Sequence, residues 1–454
     1  MKFLLKSKPY QMKKLIVLGF VLFIAVPFGY SQNFNKARLD TFFQTLEANN
    51  KFMGSVAISQ NGKLLYTKTI GYAEVESKIK ATENTKYRIG SISKTFTAVL
   101  VIKAVEEKKL KLSETLDGYF KEIMNAKKIS IEHLLSHRSG IHNFTATEDY
   151  LKWNTQKKTE KELLDIIVKG GSDFEPGTKF EYSNSNYVLL TFILQKVYKK
   201  EYAQILEDKI IKPLGLKNTY FGKKTDLEDN ECYSYRFKDS WIREPETDMS
   251  IPLGAGALVS TPTDLVRFAD AVFSGKLVSP SQAENMKTLK DNYGKGLFRV
   301  PFYDRFGYGH NGGIDGFTSV MYNFADGQVS IAVTSNGSNF DNNQISIALL
   351  STVFNRPYEL PNFKTFEVAT ESLDQYLGVY SSTAIPLKIT ITKKDKTLVA
   401  QATGQPAFPL ESTDLDQFKF DQAGVILEFI PDKNKMILKQ GGGIFEFTKE
   451  QEKN

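Results

Sequence analysis

Cysteine is almost absent, with Cys232 the single example in 454 residues. That excludes an intrachain disulfide framework and any cysteine-rich metal site. A membrane-length apolar run is missing too. The run within "LIVLGFVLFIAVPFGYSQ" holds roughly 14 residues and is broken by Pro27, whereas a spanning helix needs about 20. Basic and aromatic residues are nowhere interleaved in a patch, so nucleic acid is not an expected partner. The net charge of +7 is itself misleading, because five lysines lie in the first 31 residues, and without them the balance is +2.

Those 31 residues have the form of an export leader. Lys13 and Lys14 precede the apolar run, and small residues Gly29 and Ser31 close it. Residues 1–31 are therefore expected to be a signal peptide cleaved near Ser31, with Met12 an alternative start. No cysteine follows the run to accept a lipid, so a periplasmic or secreted protein without a stable membrane span is expected.

Three clusters carry candidate chemistry. The first is Ser91 and Lys94 in "YRIGSISKTFTA". Ser91 reads as the cap of a helix whose apolar face is Phe96, Val99, Leu100, Ile102 and Val105. Lys94 then falls in the first turn, where the positive end of the helix dipole disfavours a cation. The same field, with burial, favours the neutral amine, which can take a proton from a serine hydroxyl one turn away. Ser93 and Thr95 do not lie one turn before that base. The second cluster is Tyr182 and Asn184 in "PGTKFEYSNSNYVLL", two apart on an extended segment and so aimed the same way. A phenol there, tyrosinate-like, can move a proton, and a carboxamide can hold an amide. The third is His310, Asn311, Gly312 and Gly313 in "YGHNGGIDGF", glycines leading into a predicted strand and open to close ligand approach, with His310 a partly positive donor at the strand start. There is no G-x-S-x-G elbow. His133 and His137 in "IEHLLSHRSGI" lack the glutamate of H-E-x-x-H, and both read as structural hydrogen-bonding histidines.

Around these clusters the texture is mixed α/β. "KARLDTFFQTLEAN" has helical periodicity, and hairpins are expected at Asn61-Gly62 and Asp326-Gly327. Helices are expected near Lys161–Val168, Asn186–Tyr198 and Thr263–Val272, with the strands at the two ends of the region sharing one sheet. "NRPYELPNF" reads as a linker, and short strands follow at the spacing of a small sandwich or barrel: "LKITIT", "TLVAQATG", "QFKFD", "GVILEFI", "KMILKQ" and "GIFEFTK".

Taken together and in order, "YRIGSISKTFTA", "IEHLLSHRSGI", "PGTKFEYSNSNYVLL", "KPLGLKNTYF", "GAGALVSTPTDLVRFADAV" and "YGHNGGIDGF" resemble the serine β-lactamase-related family. The branch is that of class C β-lactamases, DD-carboxypeptidases, D-aminopeptidases and esterases. The resemblance implies an α/β (α+β) fold, β-lactamase/DD-peptidase-like, with an antiparallel sheet flanked by helices and an all-helical subdomain, over residues 35–355. A linker at 356–372 and a lipocalin-like β-barrel at 373–449 would follow. It implies Ser91 as the acylated nucleophile, Lys94 as its base and Tyr182 as the proton shuttle. Asn184, His310 and Asn311 would bind substrate, and Ser91 and Gly313 would supply the two oxyanion N–H groups. No cofactor or metal is implied. The third motif departs from the K-T-G usual in class C β-lactamases, being H-N-G here. A neutral imidazole binds a carboxylate less strongly than a lysine, which favours a peptide or ester over a β-lactam.

The expected activity is cleavage of D-amino-acid-containing peptides, peptidoglycan-derived ones included, or of small esters. The alternatives are a weak β-lactamase or a penicillin-binding sensor without turnover. Specificity is expected to be set by the loops at 145–158 and 231–252. Oligomeric state is not encoded in any feature of the sequence.

Overall fold

The computed structural model describes residues 34–451 except residue 365. The expected signal peptide lies outside the described residues. Helix α1 (Lys36–Ala48) leads into strands β1 (Phe52–Gln60) and β2 (Lys63–Ile70). Asn61 and Gly62 between them both have positive φ, 54° and 71°, as a two-residue type I′ turn requires. Helix α2 (Ser93–Glu106), helix α3 (Asn184–Tyr198) and helix α4 (Pro262–Phe273) come next. Strands β3 (Phe298–Phe302), β4 (Arg305–Ile314), β5 (Phe317–Phe324) and β6 (Val329–Ser338) follow, and then helix α5 (Asn342–Phe354).

The described strands of this region form an antiparallel sheet in the order β3-β4-β5-β6-β1-β2. The first hairpin therefore pairs with the last, as expected. Alternation along the strands serves two cores. Val56, Ile58, Val320, Ile331 and Val333 face α1 and α5, while Ala57, Met321 and Ala332 face the helical side that holds α2, α3 and α4. Small residues on the second face let the helices sit close.

The second hairpin turns at Asp326-Gly327 as expected, within a four-residue loop closed by Phe324 opposite Val329 and with positive φ at Gly327 and Gln328. Two expectations need correction. Ser91 is not a helix cap: residues Gly90–Ile92 form a 3₁₀ turn, α2 begins at Ser93, and no side chain caps it. His310–Gly313 is not a lead-in to a strand but part of the ten-residue strand β4. Gly312 is a steric necessity, since β4 runs directly over the turn that bears Ser91. A β-carbon on Gly312 would lie 2.1 Å from Ile89 O and 3.0 Å from Ser91 N.

The C-terminal strands are β7 (Gly378–Ser381), β8 (Lys388–Lys394), β9 (Thr397–Ala402), β10 (Phe408–Pro409), β11 (Glu411–Asp414), β12 (Gln417–Phe420), β13 (Val425–Ile430), β14 (Lys435–Gln440) and β15 (Gly443–Lys449). They form a strongly curved antiparallel sheet, β10-β9-β8-β7-β15-β14-β13-β12-β11. The two edge strands are separated in the chain only by Leu410, so the barrel is nearly closed around Tyr376, Leu398, Leu427, Met436 and Phe447. It docks beside the start of α5. Lys51 bonds Asp421 at 3.0 Å, and Asp341 N–H donates to Asp421 O at 3.0 Å.

Gly312→Ala should destabilise the fold by about 2 kcal/mol or more, because the neighbouring atom is backbone and cannot rotate away. Urea unfolding measures this, and an unchanged midpoint would mean that β4 does not lie so close to the Ser91 turn.

Candidate active site

The 3₁₀ turn places the Ser91 hydroxyl one helical turn before Lys94, and Lys94 Nζ lies 3.0 Å from Ser91 Oγ. Lys94 is wholly buried. Its amine meets two further oxygens, Asn184 Oδ1 at 2.7 Å and Ala255 O at 2.8 Å. A neutral amine has two hydrogens and one lone pair. With both hydrogens given to Asn184 and Ala255, the lone pair is left for the Ser91 hydroxyl. Burial pushes the Lys94 pKa well below the ordinary lysine value, which favours this neutral form.

Each partner is held by its own anchor. Asn184 opens α3, where its backbone N–H donates to Asn143 Oδ1 at 3.0 Å and its Nδ2 donates to Thr145 Oγ1 at 2.9 Å. Both polar ends of the Asn184 side chain are thus already engaged. The Ala255 carbonyl comes from a tight turn wedged between α2 and α3. Gly254 N–H donates to Thr191 Oγ1 at 3.0 Å, and Thr97 Oγ1 donates to Gly254 O at 2.7 Å. A β-carbon at Gly254 would meet both threonine hydroxyls at 2.5 Å.

The Tyr182 phenol lies beside Ser91 in the wall of the same cleft, and burial raises its pKa well above the ordinary tyrosine value. It is therefore a neutral phenol at physiological pH, not the tyrosinate-like group expected from sequence. Lys94 Nζ lies 4.9 Å from its ring centroid. His310 is buried, with Nε2 3.0 Å from the Tyr293 hydroxyl and Nδ1 2.5 Å from Asn311 O. Burial drives its pKa well below the ordinary histidine value, so the ring is neutral and not the partly positive donor expected from sequence. Nδ1–H then donates to the carbonyl and Nε2 accepts from Tyr293. Asn311 is exposed beside Ser91. The Gly313 backbone abuts the nucleophile turn, since a β-carbon at Gly90 would lie 2.8 Å from Gly313 N.

Ser91 and Gly313 border two cavities. The larger, about 940 Å³, is lined by Thr145, Glu148, Asn184, Glu244 and Asp315 among others. The smaller, about 380 Å³, is walled by Phe180, Tyr182, Tyr293, Phe298, His310 and Asn311. Both expected specificity loops, 145–158 and 231–252, contribute to the larger one, and every lining residue falls between 91 and 315, so the barrel does not reach the cleft.

A beta-lactamase family model matches residues 39–352, more than two thirds of the sequence. The chain belongs to the beta-lactamase family. It is 26% identical over 430 residues to penicillin-binding protein 4* of Bacillus subtilis, covering 87% of this chain and 93% of that one. It is 29% identical over 311 residues to teichoic acid D-alanine hydrolase of Staphylococcus aureus, covering 66% and 74%. The D-amino acid amidase of Ochrobactrum anthropi SV3 superposes with a TM-score of 0.63 at 25% identity, covering 71% of this chain and 99% of that one. As a member of this family, the protein is a serine hydrolase.

Within the family frame, the structure brings Ser91, Lys94, Tyr182, Asn184, His310, Asn311 and Gly313 together around one cleft. Two neighbours were not anticipated. Ala255 acts through a backbone carbonyl, and the only sequence signal near it was the "GAGALVSTPTDLVRFADAV" motif. Tyr293 lies in an irregular segment without periodicity. His133 and His137 are indeed structural, each accepting a backbone N–H at Nδ1, from Ser130 and Ser183 respectively.

Lys94→Arg keeps a positive charge that cannot be given up. It should lower kcat on an activated ester by at least about 10³-fold, as should Lys94→Ala. Near-normal turnover by the arginine variant would mean that the site needs a cation rather than a base.

Proposed function

We propose that this protein is an exported serine hydrolase that forms an acyl-enzyme on Ser91 and releases D-amino acids from amides or esters. The observation that carries the chemistry is the buried Lys94 amine, its hydrogens directed to Asn184 and Ala255 and its lone pair free for Ser91 at 3.0 Å. Ser91 Oγ attacks the substrate carbonyl as its proton passes to Lys94 Nζ. The developing oxyanion lies against the N–H groups of Ser91 and Gly313. The Tyr182 phenol gives its proton to the leaving group and is reprotonated from Lys94, after which water attacks the ester by the reverse relay.

The charge around the cleft supports the substrate class. Among the described residues, no lysine or arginine lines either cavity bordering Ser91. His310 is held neutral, and Asn311 offers a carboxamide rather than a cation. A substrate carboxylate, as in a β-lactam or a peptide C-terminus, finds no countercharge there. The larger cavity instead presents Glu148, Glu244 and Asp315. Asp315 is compensated by Arg88 and Glu244 by Arg236, but Glu148 has no ion-pair partner among the described residues. An acyl group with a free ammonium suits such a wall. The relatives named for D-amino acid amidase and D-alanine hydrolase activity support the same reading. They also support an extracytoplasmic location, as does the leader-like N-terminus. Among the described residues no helix is long and apolar enough to cross a membrane.

A panel of D-alanine p-nitroanilide, its N-acetylated form, a D-Ala-D-Ala peptide and nitrocefin tests this. The free amine should be preferred over the acetylated form by about 10-fold in kcat/KM, as one charge contact across the cleft would give. Preference for the peptide or nitrocefin would overturn the substrate class. Stable penicillin labelling with no turnover of any substrate would favour a sensor.

A further inference from the structure

His137 takes no part in the chemistry above, yet it is one of the most constrained residues in the molecule. It is completely buried. Its backbone lies in the left-handed region at φ 55°, which a residue with a β-carbon disfavours. In that conformation its carbonyl accepts from Glu181 N–H at 3.0 Å, and its ring Nδ1 accepts from Ser183 N–H at 3.1 Å. The two bonds fall on the residues immediately before and after Tyr182. The imidazole also lies against the Tyr182 ring, with centroids 4.3 Å apart and planes inclined by 35°.

Space-filling does not account for an imidazole here. Because Nδ1 accepts, the neutral ring carries its hydrogen on Nε2. That nitrogen is buried without a hydrogen-bond partner, among the rings of Phe180, Tyr187 and Tyr293. An apolar ring of similar size would avoid the unmet N–H. What the imidazole adds is an acceptor at Nδ1. Burial keeps the ring neutral and so preserves that acceptor.

We propose that His137 is the positioning residue for Tyr182, clamping the backbone on both sides of it and backing its ring, so that the phenol stays within reach of Ser91. The inference rests on the reading of Tyr182 as the proton relay. It separates His137 from His133, whose Nδ1 closes a local capping box with Ser130 and touches nothing at the cleft.

The test uses two substrates with the full-length protein. D-alanine p-nitroanilide has an amine leaving group that must gain a proton; p-nitrophenyl acetate releases a stable phenolate that need not. His137→Phe keeps an aromatic ring and removes the acceptor. It should lower kcat on the anilide by about 10²-fold with KM within about 3-fold, and lower the ester rate much less. His137→Asn, which restores an oxygen near the Nδ1 position, should recover at least about 10-fold of the loss. In a Tyr182→Phe background, His137→Phe should cost less than about 3-fold, because the group it positions is already gone. Equal losses on both substrates, or losses that multiply in the double variant, would overturn the proposal. Should His137→Phe not fold, His137→Ala, which removes both the ring and the acceptor, is run through the same cycle under the same criteria. If Tyr182→Phe alone leaves anilide turnover within a few-fold of the parent, the relay reading fails and this proposal falls with it.

Discussion

A primary amine stripped of water is the constraint on which the rest of this structure depends. Transferring a lysine ammonium to a dry interior costs on the order of several kcal/mol, so a fold that buries Lys94 must either pair the charge or remove it. Among the described residues no carboxylate meets Lys94. Its partners are a hydroxyl, a carboxamide oxygen and a peptide carbonyl. These three oxygens come from three separate elements: the 3₁₀ turn before α2, the first residue of α3, and the turn around Gly254. The position of each element can be understood as serving that convergence. Gly254 lets its turn reach between α2 and α3, and Gly312 lets β4 pass over Ser91.

With Lys94 neutral, its surroundings become consistent. His137 and His310 are both driven toward the neutral imidazole, and the Tyr182 phenol toward its protonated form. The resting site is then a set of neutral dipoles. Charge arises only during reaction, as an oxyanion above the Ser91 turn and an ammonium on Lys94 below it. Fixed dipoles in a site of low polarity stabilise such a pair without having to reorganise. A cation in the cavity wall would disturb that balance, and the described walls hold carboxylates instead.

Much of this was legible in the sequence where one local rule decides the outcome. Asn61-Gly62 encodes its turn through backbone φ alone, and the apolar periodicity of "FTAVLVIKAV" encodes α2. The Ser91–Lys94 spacing needed only a helical turn to bring hydroxyl and amine together. What was not legible depends on contacts between distant segments. The glycines of β4 looked like a lead-in to a strand because Gly312 answers to Ile89, over 200 residues earlier, and not to a strand pattern. The Ala255 carbonyl has no side-chain signature at all. Ser91 resembled a cap because the residue types preferred at helix starts are also those used as nucleophiles. His137 was rightly read as structural, but its connection to Tyr182 depends on a left-handed backbone that no local pattern announces.

The central claim is that Lys94 is an amine and not an ammonium when the enzyme is at rest. Carbon NMR of the lysine ε-carbons in ¹³C-labelled protein, with Lys94→Arg used to assign the signal, reads that state directly. The account predicts a Lys94 resonance already in its neutral form at pH 7.5, becoming charged only as pH falls through a pKa well below the 10.5 of an ordinary lysine. A resonance that stays in the ammonium form until pH approaches 10.5 would contradict it.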